Sequence, residues 1–269
     1  MVIALSIVHG LVLFGFFIAM AVSWFGSSAD IKDCSRFAGI VVGALVLATL
    51  PILVLSGALA VVLAAFGLVI GLARTFLFTA VGASCCAGAG FAAFPLIKPG
   101  LGGLDGHAAR VPLGPTLVVA LVVAGAWCAY TFVLFSVFTP ELSDIAQRLI
   151  GEAENLDGSE SAAIAAIGVC VIAFEEELVY RLGIQNLVAR YFGWWDRRYW
   201  LAILISATIW TIGHVGTLEP GWVKLAQIFP AGIALGWLAR KHGIEACIVA
   251  HAVFNIAAYW MGENGVLPV

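Results

Sequence analysis

Long apolar stretches separated by short polar ones dominate the chain. Crossing the ~30 Å hydrocarbon core of a bilayer takes about 20 apolar residues of helix, so each stretch of this length predicts one membrane span. The sequence therefore predicts helices at residues 2–25, 38–73, 76–97, 116–138, 161–192, 199–217, 222–239 and 243–262. The segment 38–73 is long for one span, and Pro51 or the Ser56-Gly57 pair would kink it or divide it in two. Because a lipid-exposed backbone must satisfy its own hydrogen bonds, we expect an all-α polytopic membrane protein, with about eight transmembrane helices in a single bundle.

The composition supports a membrane location. Hydrophobic residues make up 62% of the 269 residues and charged residues only 11%, whereas soluble domains carry about 25% charged residues. The formal net charge of −3 offers no basic surface, so nucleic acid is not an expected partner. The six cysteines show no Cys-x-x-Cys spacing, which predicts small core residues rather than a disulfide framework or a zinc knuckle.

Positively charged residues distinguish the two sides of the predicted bundle. One side receives Lys32, Arg36, Lys98, Arg110, Arg190, Arg197, Arg198, Arg240 and Lys241. The opposite side receives Arg74, Arg148 and, at a helix edge, Lys224. Because Lys and Arg concentrate in cytoplasmic loops, the loops at 182–198 and 240–243 are predicted to be cytoplasmic. The acidic segment 139–160 would lie on the other side as a solvated connector.

Polar residues interrupt three of the apolar segments in the C-terminal half. A charged side chain at membrane depth costs at least ~2.5–3.5 kcal/mol, so such residues usually face the bundle interior and have a function. Glutamate, histidine and asparagine are also the groups that form a general base and an oxyanion site. The residues concerned are Glu175, Glu176, Glu177 and Arg181 in the first segment, His214 in the second, and His251 and Asn255 in the third.

Three pairs of these residues are four positions apart and so share a helix face, namely Glu177 with Arg181, Trp210 with His214, and His251 with Asn255. Arg181 is expected to neutralise Glu177, while Glu176 faces the cavity as the general base, and Trp210 is interpreted as packing. A purely structural interpretation is open for each pair, as a buried ion pair or as interhelical hydrogen bonds.

Metal chemistry is a minor alternative. The sequence contains no HExxH, GxGD or GxSG motif of other intramembrane proteases. Glu176, His214 and His251 would supply a two-histidine, one-carboxylate zinc site, but no sequence-local histidine pair marks it. We therefore expect that no cofactor is required, and zinc remains an alternative.

The ordered motifs resemble those of the CAAX prenyl protease type II and bacteriocin-processing membrane proteins, the CPBP or ABI family. The first motif, EExxxR, occupies residues 176–181; the second, an aromatic residue followed four positions later by His, occupies 210–214; the third, HxxxN, occupies 251–255. The resemblance covers roughly 161–262. Residues 1–269 are accordingly interpreted as one integral membrane domain, with motif-free helices in 1–115 and the motif-bearing core in 116–269.

The resemblance implies an intramembrane endopeptidase that cuts a membrane-associated or lipidated protein or peptide. Glu176 would activate a water molecule, His214 would hold or polarise it, and His251 and Asn255 would stabilise the oxyanion. The residues implied to support the site are Glu177, Arg181 and Trp210.

Three other functions and one geometric question are open at this stage. A non-proteolytic binding or self-immunity protein of the same fold, a proton-coupled transporter, and a haem or quinone protein with histidine ligands would all use buried polar residues.

The predicted helix 199–217 also places His214 near its outer end, whereas Glu176 and His251 lie closer to the centre or the cytoplasmic half. The three side chains converge only if that helix is shifted or tilted.

Overall fold

The computed structural model describes residues 58–89, 113–144 and 159–267, together with Gly15 and Gln147. The predicted helix 2–25, apart from Gly15, and the candidate kinks at Pro51 and Ser56-Gly57 lie outside these residues. The elements in chain order are α1 (Ala58–Gly88), α2 (Leu113–Phe138), β1 (Glu141–Leu142), α3 (Ser159–Glu176), a π-helix (Glu177–Ile184), α4 (Gln185–Phe192), α5 (Tyr199–Gly213), β2 (Leu218–Glu219), α6 (Gly221–His242) and α7 (Ile244–Glu263).

The described residues are mostly helical, as the apolar pattern predicts. Four of their helices are long and apolar enough to cross a membrane, within Gly71–Gly88 of α1 and over the whole of α2, α6 and α7. The helix α5 is equally apolar but only 15 residues long. The predicted count of about eight spans is not confirmed.

The predicted break between helices 38–73 and 76–97 is wrong, because α1 runs without interruption through Arg74 and Thr75. Arginine is a good helix former, and its charge needs a loop only if no partner is available inside the bundle. Here the Arg74 guanidinium forms an ion pair with Glu175 at the end of α3, and the Thr75 hydroxyl donates to the same carboxylate over 3.3 Å. The placement of Arg74 in a loop is therefore wrong as well.

The predicted helix 161–192 is one helical run with an unusual centre. Eight residues in it form the π-helix, after which the backbone N–H of Gln185 donates to Tyr180 O, five residues earlier. The chain stays helical to Phe192, so the predicted loop 182–198 is non-helical only from Gly193 to Arg198.

Two glycines allow α1 to pack directly against the π-helix. A Cβ atom on Gly82 of α1 would clash with the backbone carbonyl of Leu182, and one on Gly183 would lie 2.5 Å from the Phe78 ring. The close approach of these two backbones fixes the π-helix against α1 and buries it completely.

The predicted helix 199–217 ends early, because α5 stops at Gly213 and a turn leads into β2. The strand β2 pairs antiparallel with β1, so that Leu142 lies opposite Leu218. Next to this pair, Ser143 donates from its N–H to Thr217 O over 3.2 Å and from its hydroxyl to Gly216 O over 2.6 Å. The start of the predicted solvated connector 139–160 is thus a strand that ties the end of α2 to the end of α5.

The main core is formed by the π-helix and helices α1, α2, α4, α5, α6 and α7. It contains the large side chains Trp127, Leu178, Trp210, Leu235 and Phe254. A smaller cluster beneath the two strands includes Leu134, Phe135, Leu218 and Val223. The five cysteines among the described residues form no disulfide, as the spacing predicts, and Cys34 lies outside these residues.

Candidate functional site

Glu176 and Glu177 stand at the junction of α3 and the π-helix. The side chain of Glu177 is completely buried, whereas that of Glu176 is 23% exposed. The two neighbouring carboxylates therefore belong to different environments, which we call the buried side and the open side of the site.

The buried side is a set of polar groups paired with Glu177. The Arg181 guanidinium lies 3.3 Å from Glu177 Oε1, within the same π-helix. From α7, His251 Nδ1 donates to Glu177 Oε1 over 2.7 Å, and the Cys247 thiol donates to Glu177 Oε2 over 2.7 Å. Because the carboxylate can only accept, the proton of His251 is on Nδ1, and its other ring nitrogen is directed elsewhere.

Trp210 of α5 connects the two sides. The Arg181 guanidinium lies over its ring, 4.0 Å from the centroid, and the indole N–H donates to Glu176 Oε2 over 2.8 Å. Interpreting Trp210 as packing alone is therefore incomplete, since its fully buried side chain also holds the Glu176 carboxylate.

The open side contains Glu176 and the two histidines. His214, which follows the last residue of α5, is fixed by a 2.9 Å hydrogen bond between its Nδ1 and Trp210 O. A carbonyl only accepts, so this nitrogen carries the proton and Nε2 is the nitrogen 3.9 Å from Glu176 Oε1. On the other face, His251 Nε2 lies 3.9 Å from Glu176 Oε2.

The three side chains converge because α5 is short. Its 15 residues measure only ~22 Å at 1.5 Å per residue, and His214 directly follows the last of them. The helix thus ends at Gly213 rather than at residue 217, and His214 Nε2 comes within 3.9 Å of Glu176 Oε1. The depth of His214 in the membrane stays a prediction.

Asn255 takes a different position from the rest of the motif residues. It lies one turn after His251 on α7, and its amide donates to Val169 O of α3 over 3.2 Å. This contact joins α7 to α3, and it is the only hydrogen bond that the Asn255 side chain makes to the described residues.

Two further residues at the site lie outside the three sequence motifs. Trp127 of α2 stacks on Phe254 with 3.5 Å between ring centroids, and its ring centroid lies 5.5 Å from that of His251. Lys224 of α6 interacts electrostatically with both Glu176 and His214. Lys224 is a charged residue in an otherwise apolar segment, which is the same signal that identified the glutamates. Because Lys224 lies at the edge of a predicted helix, it was assigned to a loop.

Within residues 71–89, 113–144 and 166–267, no three His, Cys, Asp or Glu side chains are grouped so that they could hold a metal ion. The alternative of a zinc site at Glu176, His214 and His251 remains a prediction.

Residues 158–257 match the family model described as "Type II CAAX prenyl endopeptidase Rce1-like". This region is similar to that family. The match spans all three motifs and confirms the predicted resemblance. No curated protein and no solved structure matches the chain. The similarity to this family supports a CAAX-type peptidase, and a lipid bilayer environment agrees with the apolar helices.

Proposed function

We propose that the protein is an intramembrane endopeptidase that hydrolyses a peptide bond of a membrane-associated or lipidated protein through a water activated by Glu176. The observation that carries the proposal is the position of Glu176, a partly exposed carboxylate with a histidine Nε2 at 3.9 Å from each of its oxygens. A carboxylate and an imidazole at this spacing can exchange a proton through one bridging water.

The gap between Glu176 and His214 fits one water molecule. At 3.9 Å the two groups are too far apart for a direct hydrogen bond. A water at ~2.8 Å from each would donate one hydrogen to the carboxylate and the other to His214 Nε2. Both partners accept, so the water oxygen becomes electron-rich and its lone pair is free to attack.

The proposed reaction is an ordinary hydrolysis. The water oxygen forms a bond to the peptide carbonyl carbon, its proton moves to Glu176, and the carbonyl electron pair moves onto oxygen. When the tetrahedral intermediate collapses, the C–N bond breaks and Glu176 returns the proton to the leaving nitrogen. The products are a carboxylic acid and an amine, and the glutamate is regenerated.

His251 and Asn255 are the proposed donors to the oxyanion. Because Nδ1 of His251 is bound to Glu177, its Nε2 donates only when the ring is an imidazolium, whose charge the Glu177 carboxylate balances. The Asn255 amide uses one hydrogen for Val169 O and retains a second. Glu177, Arg181 and Trp210 hold these groups in place.

The basic ends of the helices support the proposed orientation. Arg190 near the Gly193–Arg198 loop and Arg240 and Lys241 near Gly243 place positive charge at both connections. We propose that both face the cytoplasm, following the positive-inside rule.

The test compares the termini of membrane proteins in cells carrying the wild type, Glu176→Gln, or the control Glu263→Gln at an exposed end of α7. Glutamine keeps the volume and can still accept from Trp210, but it cannot take the proton, so turnover should fall ~10²–10⁴-fold. We expect specific new termini with the wild type and the control, and none with Glu176→Gln.

Two outcomes would redirect the proposal. Identical termini in all three strains, with a phenotype that still follows the protein, would favour the non-proteolytic binding or self-immunity protein. Loss of cleavage by purified protein on chelation, with recovery on adding Zn²⁺, would replace the glutamate mechanism by the zinc alternative.

A further inference from the structure

Lys224 is a cation that the proposed hydrolysis does not use. It lies in the first turn of α6, directly after β2, and its side chain is partly exposed. An ammonium group in an apolar helix is retained at a cost in free energy, which points to a function.

The position of the ammonium group is fixed by two hydrogen bonds in series. Lys224 Nζ donates to Gln227 Oε1 over 2.9 Å, and Gln227 Nε2 donates to Thr131 Oγ1 of α2 over 3.1 Å. Gln227 and Thr131 are both buried, so the amide is held at each end. The lysine is therefore oriented by the bundle rather than free to follow the solvent.

This series of hydrogen bonds leads to the open side of the site. Thr131 lies one turn of α2 beyond Trp127, whose ring contacts those of His251 and Trp210. Lys224 also interacts electrostatically with Glu176 and His214, the two site residues whose side chains are more than one-fifth exposed.

The charge of Lys224 has no carboxylate partner at hydrogen-bond distance in the described part of the chain. The ion pairs there involve Arg74, Arg181, Arg198 and the histidines. The contact with Gln227 uses one of the three ammonium hydrogens and leaves two for another acceptor.

We propose that Lys224 is a specificity-determining residue that binds the C-terminal carboxylate of the peptide substrate. The inference rests on the proposed function. A bond cut a few residues from a C-terminus leaves the terminal carboxylate a short extended stretch away, at ~3.3–3.6 Å per residue. A compact ammonium at the open side offers this carboxylate a charge-assisted hydrogen bond.

The test uses one synthetic prenylated peptide that ends three residues after its cysteine, made with a free C-terminal carboxylate and with a C-terminal carboxamide. Purified full-length wild type, Lys224→Met and Lys224→Arg are compared with Lys241→Met, which removes one exposed positive charge from the other end of α6. Release of the tripeptide is measured by mass spectrometry, with the thermal transition of each variant as a check on folding.

We expect the wild type and Lys241→Met to cleave the acid with a kcat/KM about tenfold or more above that for the amide. Lys224→Met should abolish the preference, so that the acid and the amide are cleaved with equal kcat/KM, and the acid should lose more than the amide. Lys224→Arg should retain part of the preference because the charge remains.

Three outcomes would overturn the inference. These are equal cleavage of both peptides by the wild type, a preference that persists in Lys224→Met, and an equal loss on both peptides in that variant, which would indicate a structural role. In each case cleavage that Glu176→Gln abolishes would leave the proposed function intact. If the wild type cleaves neither form, the proposed action on a lipidated peptide fails together with the inference.

Discussion

The buried and open sides of the site differ although adjacent residues anchor them. Glu177 is surrounded by Arg181, His251 and Cys247, and none of its surface is exposed. Glu176, the preceding residue, has one direct hydrogen-bond donor in Trp210 and reaches solvent. In this bundle, a carboxylate whose oxygens all have protein partners serves as a scaffold, whereas one with a single protein donor is available for chemistry.

The largest loss of stability is expected from a substitution on the buried side. Replacing Glu177 by Gln leaves the buried Arg181 charge unpaired, which we expect to lower the free energy of unfolding by ~3–5 kcal/mol. Thermal unfolding of purified protein in detergent measures this loss. Glu176→Gln is the matched control, with an expected change below ~1 kcal/mol, because it removes a partly exposed charge and keeps the hydrogen bond from Trp210. Equal losses for the two variants would abolish the distinction between the sides.

A smaller effect is expected when the hydrogen bond from Trp210 to Glu176, which connects the two sides, is removed. Trp210→Phe retains a ring beneath Arg181 but removes the N–H that donates to Glu176, and a hydrogen bond to a charged group is worth ~1.5–3 kcal/mol. We expect cleavage to fall about tenfold or more, with the main effect on kcat, because the carboxylate loses its fixed orientation. Unchanged kinetics would show that Trp210 only packs.

The smallest effect is expected from a substitution in α1, where this helix packs against the π-helix. Gly82→Ala places a methyl group against the Leu182 carbonyl and should destabilise the protein by ~1–3 kcal/mol. Gly88→Ala on the same helix meets no atom within 4 Å and serves as the control, with no loss expected. If both variants melt together with the wild type, the close contact of α1 with the π-helix contributes nothing to stability.

The sequence was a good guide wherever a residue's role depends on its neighbours in the chain. Apolar length predicts the helices α2, α6 and α7 to within a few residues. The four-residue spacing identifies Glu177 with Arg181 and Trp210 with His214 as contacting pairs. It could not show that the first pair lies in a π-helix, because the motif is compatible with both kinds of helix.

Structural features that depend on residues far away in the sequence could not be predicted. Arg74 looks like a loop residue until Glu175, about 100 positions later, is seen to pair with it. The end of α5 has no breaker other than Gly213, and pairing of β2 with β1 fixes it instead. Trp127 is one of nine tryptophans, and only the fold shows which of them borders the histidines.

The shortness of α5 also changes what the bilayer must do around it. A helix of ~22 Å is ~8 Å shorter than the ~30 Å hydrocarbon layer, and α5 ends at the turn that contains His214. The non-helical turn there is compatible with membrane depth only where protein or water surrounds it. We therefore expect the bilayer to thin around α5 and turnover to respond to acyl-chain length, since thicker lipids increase the hydrophobic mismatch at this helix.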